Sequence, residues 1–228
     1  MKLLAVLPLL LVLPACEHKA AAPASGNTMT CAAGSLKLSG FGEQDVGFGS
    51  FGIQGETLTG FGLGLNIENA GKAYEISTGV MPLPTQAGTY HFPSLAEPGM
   101  TLASYKVKTA SRDLIKGYSG GTYSQQFSAI ENDPEAKLKI QVDKMIVSDA
   151  TQPGFKHVHA LGSFEFNAAA LPAASPSDAC VSSGVARSLE SVKAGKRLLP
   201  LFDATVCGAE KIHVRCDFDV TADLVILK

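Results

Sequence analysis

From Ile212 to Leu224 the chain alternates without a break over thirteen residues. Ile212, Val214, Cys216, Phe218, Val220, Ala222 and Leu224 fall on one parity, and His213, Arg215, Asp217, Asp219, Thr221 and Asp223 on the other. A strand turns successive side chains to opposite faces, whereas a helix repeats every 3.6 residues. This stretch therefore specifies a long strand with one buried face and one solvated face. The same pattern starts at Lys156, where Val158, Ala160, Gly162, Phe164 and Phe166 turn inward and His157, His159, Ser163, Glu165 and Asn167 turn outward. Shorter runs repeat it: Phe61, Leu63, Leu65 and Ile67; Tyr74, Ile76 and Thr78; Ala103, Tyr105 and Val107; Tyr123, Gln125, Phe127 and Ala129; Leu138, Ile140 and Val142. About eight to ten such strands, separated by Gly, Pro, Asn and Asp clusters, imply an all-β domain, an antiparallel sandwich or barrel. No βαβ repeat is present.

One stretch breaks the alternation. Residues 168–184 read as a linker or long loop. Val185, Leu189, Val192 and Leu199 then recur at helical spacing, with Lys193, Lys196 and Arg197 suited to a helix C-terminus ahead of Pro200. A single helix is expected there, capping one end or side of the sheets. The chain thus divides into a signal at 1–15, a lipidated cysteine and flexible tether at 16–30, and a single β-rich domain at 31–228 with a loop and helix insertion at 168–200.

The signal rests on Lys2 followed by the apolar run Leu3–Leu13, the length of an export signal's hydrophobic region and too short to span a bilayer. It ends in Leu13-Pro14-Ala15-Cys16, which resembles the lipobox of bacterial lipoproteins. That resemblance implies diacylglycerol on the Cys16 thiol, cleavage before it, and acylation of the new amine, palmitate being typical. Two or three chains then anchor the protein stably, where one would not. Glu17 after the cysteine implies sorting to the outer membrane of a Gram-negative cell, with the domain in the periplasm or at the cell surface. Residues 17–30 are rich in Ala, Pro, Ser and Gly, the composition of a tether.

Lys plus Arg number 19 against 21 Asp plus Glu, so the net charge of −2 offers no footprint for nucleic acid, which is not an expected partner. Gly117-Tyr118-Ser119-Gly120-Gly121 matches GxSxG. A nucleophile elbow needs a strand-to-helix turn, and the residues after Ser119 alternate as a strand, so a serine hydrolase is only a lesser alternative. His157 and His159 lie two apart on one strand face and are weak metal candidates, with Glu165 or a neighbouring strand as third ligand. Asp217, Asp219 and Asp223 form an acidic outward stripe without the tight turn a calcium loop requires. Residues 40–64 hold nine glycines and four phenylalanines. Gly60, Gly62 and Gly64 share the face opposite Phe61 and Leu63, a pattern that suits sheet curvature or the close approach of a backbone or planar ligand.

Gly88-Thr89-Tyr90, the Gly120–Tyr123 turn, the Leu138 strand and Gly162-Ser163-Phe164-Glu165-Phe166 loosely resemble β-sandwich domains of uncharacterised bacterial lipoproteins over residues 88–167. No activity follows from that. The expected protein is a non-catalytic binding or structural envelope module without a cofactor, held to the bilayer by Cys16 and meeting an unknown envelope protein or small ligand. An inhibitor or small-ligand carrier is the alternative. Export also predicts disulfides among Cys31, Cys180, Cys207 and Cys216. Full pairing ties Cys31 to a residue at 180 or beyond. Alternation turns Cys216 inward, and a hairpin at Gly208–Lys211 would not put Cys207 opposite it. Cys31 is thus expected with Cys207 or Cys216, and Cys180 with the other.

Overall fold

Strands dominate the computed structural model, which describes residues 26–92, 100–119, 129–130, 138–170, 177–195, 201–203 and 205–228. A first hairpin joins β1 (Thr28–Ala33) to β2 (Leu36–Phe41), and a single helical turn, α1 (Gly42–Asp45), leads into β3 (Val46–Gly49). Short β4 (Ile53–Gln54) and β5 (Thr57–Leu58) follow, then a hairpin of β6 (Phe61–Asn69) and β7 (Lys72–Met81). Its tip, Ala70-Gly71, has φ of 49° and 72°, the left-handed turn that matches the twist of paired strands. Next come β8 (Leu83–Pro84), β9 (Gly88–Phe92), β10 (Met100–Thr109), β11 (Leu114–Ser119) and β12 (Ala129–Ile130). The long β13 (Leu138–Asp149) and β14 (Phe155–Ala170) precede α2 (Asp178–Lys193), β15 (Leu201–Phe202) and β16 (Glu210–Val225).

Eleven of these strands form one antiparallel sheet, in the order β2-β1-β16-β14-β11-β10-β7-β6-β3 with β13 and β9 branching from β14. The branch arises because β14 outruns both strands on its edge away from β16. Its first part, Lys156–Glu165, pairs with β13, while near its end Ala169 pairs with Ser119 of β11. The sheet folds over on itself as a β-sandwich. Phe61 of β6 lies 6.0 Å from Phe218 of β16 and 5.6 Å from Phe48 of β3, while Phe164 of β14 lies 6.5 Å from Phe218. This chain of rings joins both halves of the core, and each fully buried ring contributes roughly 1.5–3 kcal/mol. The alternation expected for β14 and β16 holds: Val158, Ala160, Phe164, Phe166, Val214, Cys216, Phe218, Val220 and Leu224 are buried. Among the described residues no helix is long and apolar enough to cross a membrane.

The cysteines take one of the two expected pairings. Cys31 bonds Cys216, its direct partner across the β1–β16 ladder with Cα atoms 4.0 Å apart, and both are buried. Cys180 bonds Cys207, which ties α2 to the turn before β16.

Three expectations need correction. Strand β1 begins at Thr28, so residues 28–30, assigned above to the tether, belong to the sheet. Met29 is buried, and β1 is held by ladders on both sides, a fit that the small residues around it conceal. Residues 168–170 complete β14 instead of opening a loop. The helix begins at Asp178, where the Ser177 side chain accepts the Cys180 N–H as an N-cap, and it stops before Gly195, whose φ is 72°. Leu199, Lys196, Arg197 and Pro200 lie outside the described residues, as does most of the strand expected at Tyr123–Ala129. The buried side of α2 carries Cys180, Gly184 and Ser188, whereas Val185, Leu189 and Val192 are exposed. Helical periodicity identified an apolar stripe, but the Cys180–Cys207 bond turns the other face to the protein.

Gly162 sits inside β14 between Val142 and Phe218 on its two neighbours. A Cβ there would fall on the Gln141 carbonyl oxygen and 3.0 Å from the Phe218 ring. Gly162→Ala is expected to destabilise the protein by at least about 2 kcal/mol, with a lower urea midpoint. An unchanged midpoint would mean that the β13 bulge absorbs the methyl group.

Candidate functional site

Glycines of three adjacent strands meet in register on the outer face of the sheet. Gly47 and Gly49 of β3 pair with Gly64 and Gly62 of β6, and Gly62 pairs with Gly79 of β7. The opposite parity of β6 (Phe61, Leu63 and Leu65) is buried in the core. The result is a floor of bare backbone. None of Gly47, Gly49, Gly62 or Gly64 has a left-handed φ. A Cβ on Gly49 would meet nothing within 4 Å, and on Gly47, Gly62 and Gly64 only carbonyl oxygens at 4.0, 3.6 and 3.9 Å. Neither conformation nor crowding requires glycine at these four positions, yet each weakens a strand by roughly 0.5–1 kcal/mol relative to Ala.

A groove of about 590 Å³ lies on this floor. That is within the range of small-molecule sites, roughly 300–1,000 Å³. Its rim carries Phe51, 65% exposed, and Met81, 37% exposed. The Phe51 ring leans over Gly60, within 2.7 Å of where a Cβ would stand. Ladder hydrogen bonds join β6 to both of its neighbours and β3 to β6 on one side, and the Ser50 hydroxyl donates to the Gly52 carbonyl at 3.0 Å. The groove suits a flat or linear apolar group. The Phe-Gly repeats pointed to the row on β6; register adds Gly47, Gly49 and Gly79.

The other sequence candidates do not converge on a site. Ser119 is the last residue of β11, in register with Ser104 and Ala169 within a regular sheet and not at a strand-to-helix turn. Gly120 and Gly121 lie outside the described residues, and so does Cys16. His91, the histidine upstream of Ser119 in the domain that a protease reading would need, stands on β9 opposite Lys139, in the other branch of the sheet. His157 Nδ1 lies 2.7 Å from Asp223 Oδ1, and His159 Nε2 lies 2.7 Å from Asp219 Oδ1, so each imidazole has a carboxylate of its own. Glu165, suggested as their third ligand, instead accepts from Lys139 at 2.7 Å and lies 3.5 Å from Arg215. Among the described residues no three His, Cys, Asp or Glu side chains are grouped to hold a metal ion. Asp217, 3.5 Å from Arg215, joins this surface network of charges.

Two titration effects are structural in origin. Burial pushes the Tyr105 phenol up to about 12, aided by Tyr74 and by Tyr118, on which it stacks at 5.3 Å. The hydrogen bond from Lys139 holds Glu165 below the usual carboxylate range against the opposing effect of burial. Comparison of the chain with protein-family models, curated proteins and solved structures finds no match.

If the floor glycines are dispensable for folding, Gly62→Val with Gly64→Val should keep the fold and raise its stability by about 1–2 kcal/mol in urea denaturation. A loss of stability would instead assign these glycines to sheet curvature. Glu165 has a depressed folded pKa, so its stabilisation is fully present above the unfolded value near 4.5 and disappears as pH falls through the folded value. Glu165→Gln is therefore expected to cost about 0.5–1 kcal/mol at pH 7, with the difference from wild type closing at acid pH. A difference constant with pH would exclude the Lys139 pairing as its source.

Proposed function

We propose that this chain is an outer-membrane-anchored envelope lipoprotein whose β-sandwich is a binding module for an apolar ligand, and that it binds in place of catalysing. The observation that carries the reading is the glycine-floored groove: an apolar recess on a sheet face kept free of side chains where neither φ nor packing demands glycine. Stability given up without a local structural reason marks a working surface. The anchoring part rests on Leu13-Pro14-Ala15-Cys16 behind an export-type apolar run, with Glu17 favouring the outer membrane. Two disulfides, both with buried sulfurs, suit an oxidising compartment. Of the binding roles open to such a protein, small-ligand carriage gains most from a recess of this size, whereas an inhibitor acts through protruding loops.

Two measurements test this. Cys16→Ser is expected to lose the acyl mass found on the wild-type N-terminal peptide and to leave the membrane-anchored pool. A mutant anchored as tightly as wild type would end the lipoprotein reading. Separately, residues 17–228 exported behind a cleavable signal without a cysteine should bind a fluorescent fatty acid at one site. Gly62→Val with Gly64→Val should weaken that binding at least tenfold, because both side chains would stand in the groove. Equal binding by the two proteins, or binding by neither, would rule the groove out as the ligand site.

A further inference from the structure

We infer that α2 is a self-association surface, through which two copies of this chain pack helix against helix, antiparallel. The helix carries an apolar stripe that the domain itself does not use. Val181, Val185, Leu189 and Val192 recur at intervals of four, four and three, the spacing of one helix face, and they are 45%, 57%, 54% and 47% exposed. The helix is not free to roll this stripe under. Cys180, Gly184 and Ser188 hold its buried side, and Cys180 is bonded to Cys207. A surface helix ordinarily turns such a stripe to its own core; one pinned outward by a covalent bond presents it to another molecule.

The order of residues along the helix selects a second copy as that molecule. A two-fold axis near Ala186 sets Val181 against Val192 and Val185 against Leu189, so the same four side chains serve both sides of an isologous contact. The same rotation carries Asp178, in the first turn of one copy, towards Lys193, in the last turn of the other. Both are exposed, and the offset of about three residues is roughly 4.5 Å along the axis, which a lysine side chain spans. Two such opposite-charge pairs form, one at each end, and the helix dipoles oppose. A parallel pairing would instead face Asp178 with Asp178 and Lys193 with Lys193. A bilayer surface is a poorer match. The helix, DACVSSGVARSLESVK, has two acids, two bases and no aromatic residue, whereas helices that lie on membranes are rich in Lys and Arg and carry Trp or Phe.

The size of the contact sets its strength. Sixteen residues make a helix about 24 Å long, and one face of it covers well under the ~800 Å² per partner of a stable complex. The dimer therefore dissociates on dilution and forms where copies are crowded.

The test uses the full chain in the cells that export it, where a photoreactive group traps a weak contact. Ser182, exposed and next to Val181, is replaced by p-benzoylphenylalanine, with the same replacement at exposed Ile146, on β13, as control. Irradiation is expected to give a covalent dimer from position 182 only. After trypsin, which cleaves at Arg187 and Lys193, the peptide carrying position 182 should be joined to Ser188–Lys193 of the other copy. Val185→Lys with Leu189→Lys should lower the dimer yield at least tenfold, and Lys193→Glu at least threefold because the two-fold axis counts the change twice. Formation of both disulfides checks that each variant is folded, and the cross-link in the otherwise unaltered chain stands without them. A link from position 182 to the same peptide of the other copy would mean parallel pairing and overturn the inference. Cross-linking to phospholipid or to a different protein, no dimer, an equal dimer from position 146, or a yield unmoved by the paired lysines would each overturn it too.

Discussion

The fold depends on the ladder between β14 and β16, where sixteen rungs run from Phe155 opposite Val225 to Ala170 opposite Glu210. Among the described residues no other pair of strands is joined over such a length, and the remaining sheet is assembled from its two outer edges. On one side β16 takes β1, and the Cys31–Cys216 bond fixes that rung. On the other side β14 takes β13 and β11 in succession, and the sheet divides. The inward parity of these two strands supplies Phe164, Phe166 and Phe218 to the ring cluster that Phe61 joins from the opposite half. The same ladder requires the first strand of the domain to find the last. The bridge spans 185 residues, and in the chain-entropy picture such a crosslink contributes on the order of 4–5 kcal/mol by restricting the unfolded chain.

Alternation made this spine readable in the sequence, because a half-buried strand must place apolar residues at every second position. It also gave the inward direction of Cys216, and hence a buried bridge. What alternation does not contain is partnership. The division of the sheet at β14 follows from strand lengths and from the register shift between Val142 and Lys144, neither visible as a pattern of residue types. The face of α2 was unreadable for a related reason: a helical stripe of Val185, Leu189 and Val192 looks like a core face until a covalent bond at Cys180 assigns that side to Gly184 and Ser188. In β1, Thr, Met, Thr and Cys alternate too briefly, next to an Ala-rich sequence, to stand out.

The glycines show the same limit in finer detail. Gly71 and Gly195 are set by backbone conformation, since each has φ near 72° at a turn or helix end. Gly40 and Gly162 are set by contact, because a methyl group would strike Leu65 in one case and the Gln141 backbone in the other. Gly47, Gly49, Gly62 and Gly64 are set by neither. In the sequence all eight are the same letter. The Phe-Gly repeats showed that β6 carried a glycine row, but only the pairing of Gly47 with Gly64 and Gly49 with Gly62 turns that row into a surface.

Such a surface is a liability unless it is covered. It lies against β3, which ends the path of the sheet, and sheet ends that are flat and apolar invite pairing with another chain. Part of the protection is local: β3 has only four residues, and Phe51 folds over Gly60 instead of extending the edge. The rest of the floor remains open, with Met81 at its rim. A valine at each of the four positions would strengthen the strands, so the simplest way to a more stable protein is also the way that fills the recess. Their retention is intelligible if the recess is normally filled by something other than side chains.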